Sequence, residues 1–247
     1  MLELRGLSLR AGGRVLVQDL SLTLGARGIT ALIGPSGCGK TSVLKWLAGL
    51  TPPGVVGHGA LSLDGAPLTR PNPALAYQPQ GDALFPWLTI AQNAALGLEV
   101  AGLPPKAARA RVAPLFAPFG LAGCEALFPA QLSGGMRQRA AFLRTIVQDS
   151  HLVLLDEPFS ALDAVTRMRM QGWLLARLRA TPRSVLLVTH DLHEATSLAD
   201  RILVMAADPG RIVADIAVPH PPDQRSEAGL APLRETLKSL LLKESAP

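Results

Sequence analysis

Gly34-Pro35-Ser36-Gly37-Cys38-Gly39-Lys40-Thr41 fits the pattern G-x-x-x-x-G-K-[ST] and has the chemistry of a phosphate cradle. Its glycines let the backbone turn N–H groups inward toward an anion, and Lys40 brings a full charge for the terminal phosphates. Thr41 is placed to ligate Mg²⁺. An ordinary glycine-rich turn is the bland alternative, and the flanks decide against it. Ile29 to Ile33 reads as a buried strand, and Val43, Leu44, Leu47 and Ala48 recur at helical spacing until Gly49 and Pro52-Pro53 stop the helix. Strand, turn and helix N-terminus thus follow in the order that a nucleotide site needs.

Asp156 follows the apolar run Leu152 to Leu155, where a carboxylate can hold Mg²⁺ opposite Thr41. Glu157 comes next and can reach an attacking water as catalytic base. Such a pair could merely cap a helix, but Pro158 follows and a phosphate loop is present. His190 stands after the apolar run Ser184 to Val188, and this strand-end position suits a γ-phosphate sensor better than a core histidine. Ser133 can cap a helix running to about Val147, with Gly134 and Gly135 freeing its first N–H groups as a second anion site. One chain then has two phosphate devices but one lysine loop and one magnesium carboxylate. An isologous dimer resolves this, with each nucleotide between the lysine loop of one copy and the Ser133 turn of the other.

The elements that must position these residues read as one α/β core with additions, which 247 residues accommodate. Leu2 to Leu9 alternates at period two, Gly12-Gly13 turns, and Val15 to Leu24 continues as strand. A short strand over 59–65 joins that small antiparallel sheet, with Asp64-Gly65 as its turn, before 74–77 leads back to the core. From 82 to about 120 the pattern is helical, with helices over 91–98 and 106–119. The runs 152–155 and 184–188 have the continuous apolar character of buried parallel strands. A last amphipathic helix puts Leu233, Leu237, Leu240 and Leu241 on one face. The formal charge of +5 comes from scattered arginines without a like-charged block, which favours a solvated surface over a nucleic-acid patch. Cys38 and Cys124 make no disulfide framework and suit a reducing cytoplasm. Neither a secretory leader nor a membrane-length apolar run is expected.

Taken together the motifs resemble the ATP-binding-cassette ATPases, and specifically the single-domain cytoplasmic subunits of bacterial importers. The resemblance covers Met1 to about Ile212: the Walker A loop, the signature Leu132-Ser133-Gly134-Gly135-Met136, the Walker B run to Asp156 with Glu157, the D-loop Ser160-Ala161-Leu162-Asp163 and the switch His190. Gln78 and Gln80 both fit the Q-loop, and the family's spacing from Leu84-Phe85-Pro86-Trp87 selects Gln80, implying a sensor of Mg²⁺ and the γ-phosphate. Walker A continues Lys40-Thr41-Ser42 where the family more often has Lys-Ser-Thr, which keeps the metal hydroxyl. The resemblance implies a P-loop, RecA-like α/β core with an antiparallel β subdomain and a helical insert at about 82–147, over residues 1–218, followed by a tail over 219–247. It implies ATP and Mg²⁺ as ligands, and a homodimer or a pair with a similar subunit. Transmembrane permease subunits would dock on the loop after Gln80 and a solute-binding protein would act indirectly, with this chain cytoplasmic and peripheral on the inner face of the cell membrane. Phe85-Pro86-Trp87 and Asp208 to Ile212 look like the group importing nitrate, sulfonates or taurine. One departure is Ala11, near which the family places an aromatic residue against adenine. A cassette acting on nucleic acid or ribosomes would carry a second cassette or coiled-coil arms, and a small-molecule kinase has no use for the Ser133 turn. An exporter subunit is a rival within the family.

Overall fold

The computed structural model describes residues 1–244; residues 245–247 of the expected tail lie outside the described residues. Strands β1 (Leu2–Ala11) and β2 (Arg14–Leu24) form a hairpin whose turn residues Gly12 and Gly13 both have positive φ. Strand β3 (Gly28–Ile33) leads through the glycine-rich loop into α1 (Lys40–Ala48), and β4 (Val55–Leu63) and β5 (Ala66–Pro67) then complete the first sheet. Asp64 and Gly65 join these two with φ of 50° and 81°, the paired left-handed conformation of a tight hairpin turn. The order of this antiparallel sheet is β2-β1-β4-β5.

After β6 (Leu75–Gln78) come α2 (Ile90–Val100), α3 (Pro105–Val112) and α4 (Gly134–Ile146), then β7 (Leu152–Asp156), α5 (Ala164–Ala180), β8 (Ser184–Val188), α6 (Leu192–Leu198), β9 (Arg201–Ala206), β10 (Arg211–Ala217) and α7 (Glu227–Glu244). The second sheet has the order β10-β9-β3-β8-β7-β6, parallel except for its antiparallel edge β10. Its central strands β7 and β8 are buried on both faces, which is why their sequences read as unbroken apolar runs. Alternate residues serve two cores. Leu152, Leu154, Leu186, Val188, Leu203 and Met205 pack with α1 and the antiparallel sheet. Val153, Leu155, Val185, Leu187, Ile202 and Val204 pack with the helices of the other face.

Two helical expectations need correction. Residues 82–89 are bends and turns rather than helix, and the second helix ends at Val112, with a 3-10 turn over Ala113–Leu115, instead of reaching 119. Pro114 has no N–H to continue the ladder and its ring opposes the preceding turn, which disfavours continuation of the helix through it. At the C-terminus, α7 buries Leu230 and Leu237 in the larger core, with Leu233, Leu240 and Leu241 packed against it.

Two glycines give opposite stability predictions. Gly210 lies against the glycine-rich loop, bonded to Leu16 and Gln18, and an added Cβ would sit 2.2 Å from the Cys38 carbonyl oxygen. Gly172, within α5, would place a Cβ in open space. Urea unfolding should show Gly210→Ala destabilised by about 1–3 kcal/mol. Gly172→Ala should be stabilised by roughly 0.5–1 kcal/mol, because glycine costs more backbone entropy in a helix.

Candidate functional site

The loop between β3 and α1 is shaped by its glycines. Gly37 and Gly39 have φ of 79° and 102°, and a Cβ on Gly34 would lie 2.4 Å from the Met205 carbonyl oxygen. Gly39 caps α1 without a side-chain hydrogen bond, leaving the first-turn N–H groups of the helix suited to an anion. Ser36 and Gly37 are exposed at the tip, Pro35 and Ser42 are half-buried, and Cys38 is buried with its Sγ 3.6 Å from the Lys40 ammonium. Lys40 is itself buried, and its Nζ donates to the carbonyls of Gly34 and Pro35 at 2.8 Å each.

Beside this loop β7 ends in two carboxylates. Asp156 is 1 % exposed; Thr41 donates to its Oδ1 at 3.1 Å and the Tyr77 hydroxyl to its Oδ2 at 3.4 Å. Burial pushes the Asp156 carboxyl above its ordinary range, opposed by the Thr41 hydrogen bond and assisted by the neighbouring Glu157 charge. Glu157 takes a left-handed φ of 48°, a conformation that costs a non-glycine residue about 1–2 kcal/mol, and its N–H donates to Val188 of β8. Its two oxygens are engaged separately: Gln80 Nε2 donates to Oε2 at 3.2 Å, and His190 Nδ1 lies 3.2 Å from Oε1. Three neighbouring parallel strands, β6, β7 and β8, therefore bring Gln80, Asp156 with Glu157, and His190 to one rim. The donor set fits what the sequence implied. A hydroxyl and a carboxylate 3.1 Å apart are hard oxygen ligands for Mg²⁺, and the loop is a cradle that a Cβ at Gly34 would fill.

Of the two glutamine candidates, Gln80 lies at this rim. Gln78 is fully buried on the opposite face of β6, with neither polar side-chain atom partnered. Ser133 caps α4, accepting from the Met136 N–H at 3.3 Å, and is exposed together with Gly134, while Gly135 faces Ala161 and Leu162. Among the described residues no hydrogen bond joins Ser133, Gly134 or Gly135 to the Gly34–Thr41 loop. The Ser133 turn is tied instead to the far side of the Glu157 rim, through Gln138 Nε2 to the carbonyls of Gln80 at 3.4 Å and Pro158 at 3.3 Å.

Sequence reasoning missed several neighbours. The Tyr77 hydroxyl reaches Asp156; the matched register of Tyr77 with Leu154 puts it on the same sheet face as that carboxylate. Around His190, Arg167 pairs with Asp191 at 3.3 Å, and buried Glu194 accepts from Gln171 at 3.0 Å, its carboxyl raised by burial. Neither Trp46 nor Tyr77 is free to replace an aromatic at Ala11. Trp46 is buried with the Arg70 guanidinium 3.3 Å from its ring centroid.

A family model described as "ABC transporter" matches residues 17–160. The taurine import ATP-binding protein TauB of Yersinia pestis bv. Antiqua (strain Antiqua) is 40% identical over 213 residues, 86% of this chain and 82% of that one. The chain belongs to the ABC transporter ATPase family. Formylaminopyrimidine import ATP-binding protein ThiZ of Halalkalibacterium halodurans is 37% identical over 237 residues, covering 93% of this chain and 91% of its own. Among solved structures, the ATP-binding cassette MJ0796, in a dimeric post-hydrolysis state bound to ADP and Pi, superposes with a TM-score of 0.78 at 23% identity. That likeness covers 89% of this chain and 100% of the other, and it shows the ABC ATPase fold. Among the described residues no helix is long and apolar enough to cross a membrane.

The raised Asp156 carboxyl sets a pH-dependent prediction. A carboxyl raised on folding favours the protein below its unfolded pKa, and that contribution is lost as pH rises through the folded one. In Mg²⁺-free buffer at neutral pH, Asp156→Asn should gain about 1 kcal/mol of stability while losing ATP hydrolysis. Denaturation midpoints should show the gain fading in acid.

Proposed function

We propose that this chain is the ATP-hydrolysing subunit of a bacterial importer for a small solute, working as a dimer beneath a transmembrane permease at the cytoplasmic face. The observation that carries the reading is Glu157, one residue past the Asp156 carboxylate beside the Lys40 loop, with its two oxygens on Gln80 and His190. The named relatives import taurine and formylaminopyrimidine, which supports import of a small solute. Choice of solute belongs to the permease and its binding protein.

In this reading the Gly34–Thr41 amides and Lys40 bind the phosphates of ATP, and Ser42 extends the same helix start. Thr41, Asp156 and Gln80 would hold Mg²⁺. When bound, that ion neutralises charge developing on the phosphates. Glu157 orients the attacking water and takes up its proton, and its strained backbone aims the carboxylate outward from the strand end. His190 and Gln80 each hold one Glu157 oxygen, so either can reposition the base when the terminal phosphate is present. Ser133, Gly134 and Gly135 serve the nucleotide of the second copy, which agrees with their exposure and their separation from this chain's own loop. With Ala11 in place of an aromatic, phosphate and metal contacts dominate nucleotide affinity.

The permease contact is the loop 83–87 and the cleft behind it. That cleft holds about 700 Å³ and is lined by Phe85, Leu96, Val100, Leu103 and Leu50 among others. Trp87 is 69% exposed, and its ring packs 5.4 Å from that of Phe85, an apolar pair on an otherwise solvated rim.

Glu157→Gln should bind ATP as the wild type does and lose nearly all turnover, accumulating as an ATP-bound dimer by size exclusion. Unchanged steady-state hydrolysis would remove Glu157 as the base. Trp87→Ala should weaken co-purification with permease by about tenfold or more, since aromatic anchors carry interface energy, while hydrolysis by the isolated subunit stays intact. Equal loss in both assays would remove Trp87 as a permease-specific anchor.

A further inference from the structure

Residues 219–244 lie beyond the family match and take no part in the site described above. Yet they grip the helix that follows His190. Helix α6 starts at Asp191, whose carboxylate caps it by accepting from the N–H groups of His193 at 2.8 Å and Glu194 at 3.2 Å. His190 is therefore rigidly joined to the first turn of α6, and whatever fixes that helix fixes the imidazole beside Glu157. The tail bonds directly to its last turn and reaches its first turn through Glu227. At the far end, Arg225 donates to the carbonyls of Thr196 at 3.2 Å and Ser197 at 2.9 Å, and its side chain is only 3% exposed. A cation at helix C-terminal carbonyls is the favourable sense of the helix dipole. At the same last turn, Arg234 Nε donates to Thr196 Oγ1 at 3.0 Å, while its two terminal nitrogens clasp Glu227 at 2.6 and 3.0 Å. Glu227 in turn lies 3.7 Å from His193 Nδ1.

A structural tail would need only its apolar stripe, and α7 has one in Leu230 and Leu237. The two arginines add something the stripe cannot. Apolar packing tolerates sliding by a fraction of a side chain, whereas planar forks bonded to carbonyls, a hydroxyl and a carboxylate fix position and rotation together. Helix α6 has only seven residues; Ala195 and Leu198 pack it into the core, and the arginine bonds add directional restraint to that packing.

We infer that Arg225 and Arg234 are positioning residues for the ATPase reaction: through α6 they hold His190 against Glu157, so the C-terminal tail sets the catalytic rate. This rests on the reading of His190 and Glu157 given above. It places a control point on a surface of α7 remote from the nucleotide loop.

The test compares hydrolysis with stability in the full chain. Arg234→Gln keeps the stem and loses the charged fork; Thr196→Val removes the hydroxyl acceptor while preserving side-chain volume. Each should lower kcat about fivefold or more, roughly 1 kcal/mol in barrier, with KM for ATP within about twofold of wild type. Arg234→Lys, which keeps one charged donor, should recover part of the rate. Leu240→Ala, on the same helix but packed only through apolar contacts, is the stability control and should keep wild-type kcat at a comparable fall in melting temperature. Wild-type kcat in both Arg234→Gln and Thr196→Val would overturn the inference. So would Leu240→Ala losing rate in proportion to its stability, which would reduce the tail to a structural brace. His190→Ala separates the two readings. If it leaves kcat unchanged, the sensor role fails; if it abolishes turnover while the tail variants do not affect it, only the tail inference fails.

Discussion

The carboxylate of Glu157 is the constraint around which this molecule is arranged. It stands where three parallel strands end side by side, and each strand contributes a group to it or to its neighbour. A single residue of strand slippage would turn Asp156 to the opposite face and pull Glu157 from between Gln80 and His190. The doubly buried sheet prevents this, because every register shift would exchange the side chains of two different cores. Fold stability and catalytic geometry are thus one requirement here.

The site also opposes the fold that holds it. Asp156 is buried with its carboxyl destabilised, Glu157 has a left-handed backbone, and Gln78 is buried without a partner. Each is unfavourable alone, by about 1–3 kcal/mol for an unsatisfied buried polar group. All three lie within a few residues of the β6 and β7 termini. Core packing on both faces of the sheet offsets them, which is why so small a region can be strained without loss of structure.

Much of this was legible in the sequence, and what was not is physically explicable. The phosphate loop, both carboxylates, His190 and the Ser133 cap are local patterns of residue type and spacing, and the structure places the loop, the carboxylates, Gln80 and His190 beside one another. The choice between Gln78 and Gln80 could not be made from the residues themselves; Gln78 ends β6 inside the sheet, whereas Gln80 lies beyond the strand end, where it reaches Glu157. Pro114 shortened a helix that periodicity extended. The 3.4 Å contact of Tyr77 with Asp156 joins residues 79 positions apart in the chain, and the grip of Arg225 and Arg234 on Thr196 spans 29 and 38 positions. Long-range contacts of this kind leave no periodic trace. Helix α6 is too short to show one, and β10, at the sheet edge, is only half-buried.

Asn93 has a consequence of a different sort. Fully buried near the start of α2, it accepts from the Phe85 N–H at 2.8 Å and donates to the carbonyls of Phe85, Leu88 and Thr89 at 3.0 to 3.1 Å. One amide therefore does for residues 85–89 what a run of secondary structure does elsewhere. The rim bearing Phe85 and Trp87 is already ordered in the free subunit. A partner docking there, as proposed for the permease, would meet a preformed seat rather than a loop that must be organised on contact, so association would forfeit little conformational entropy.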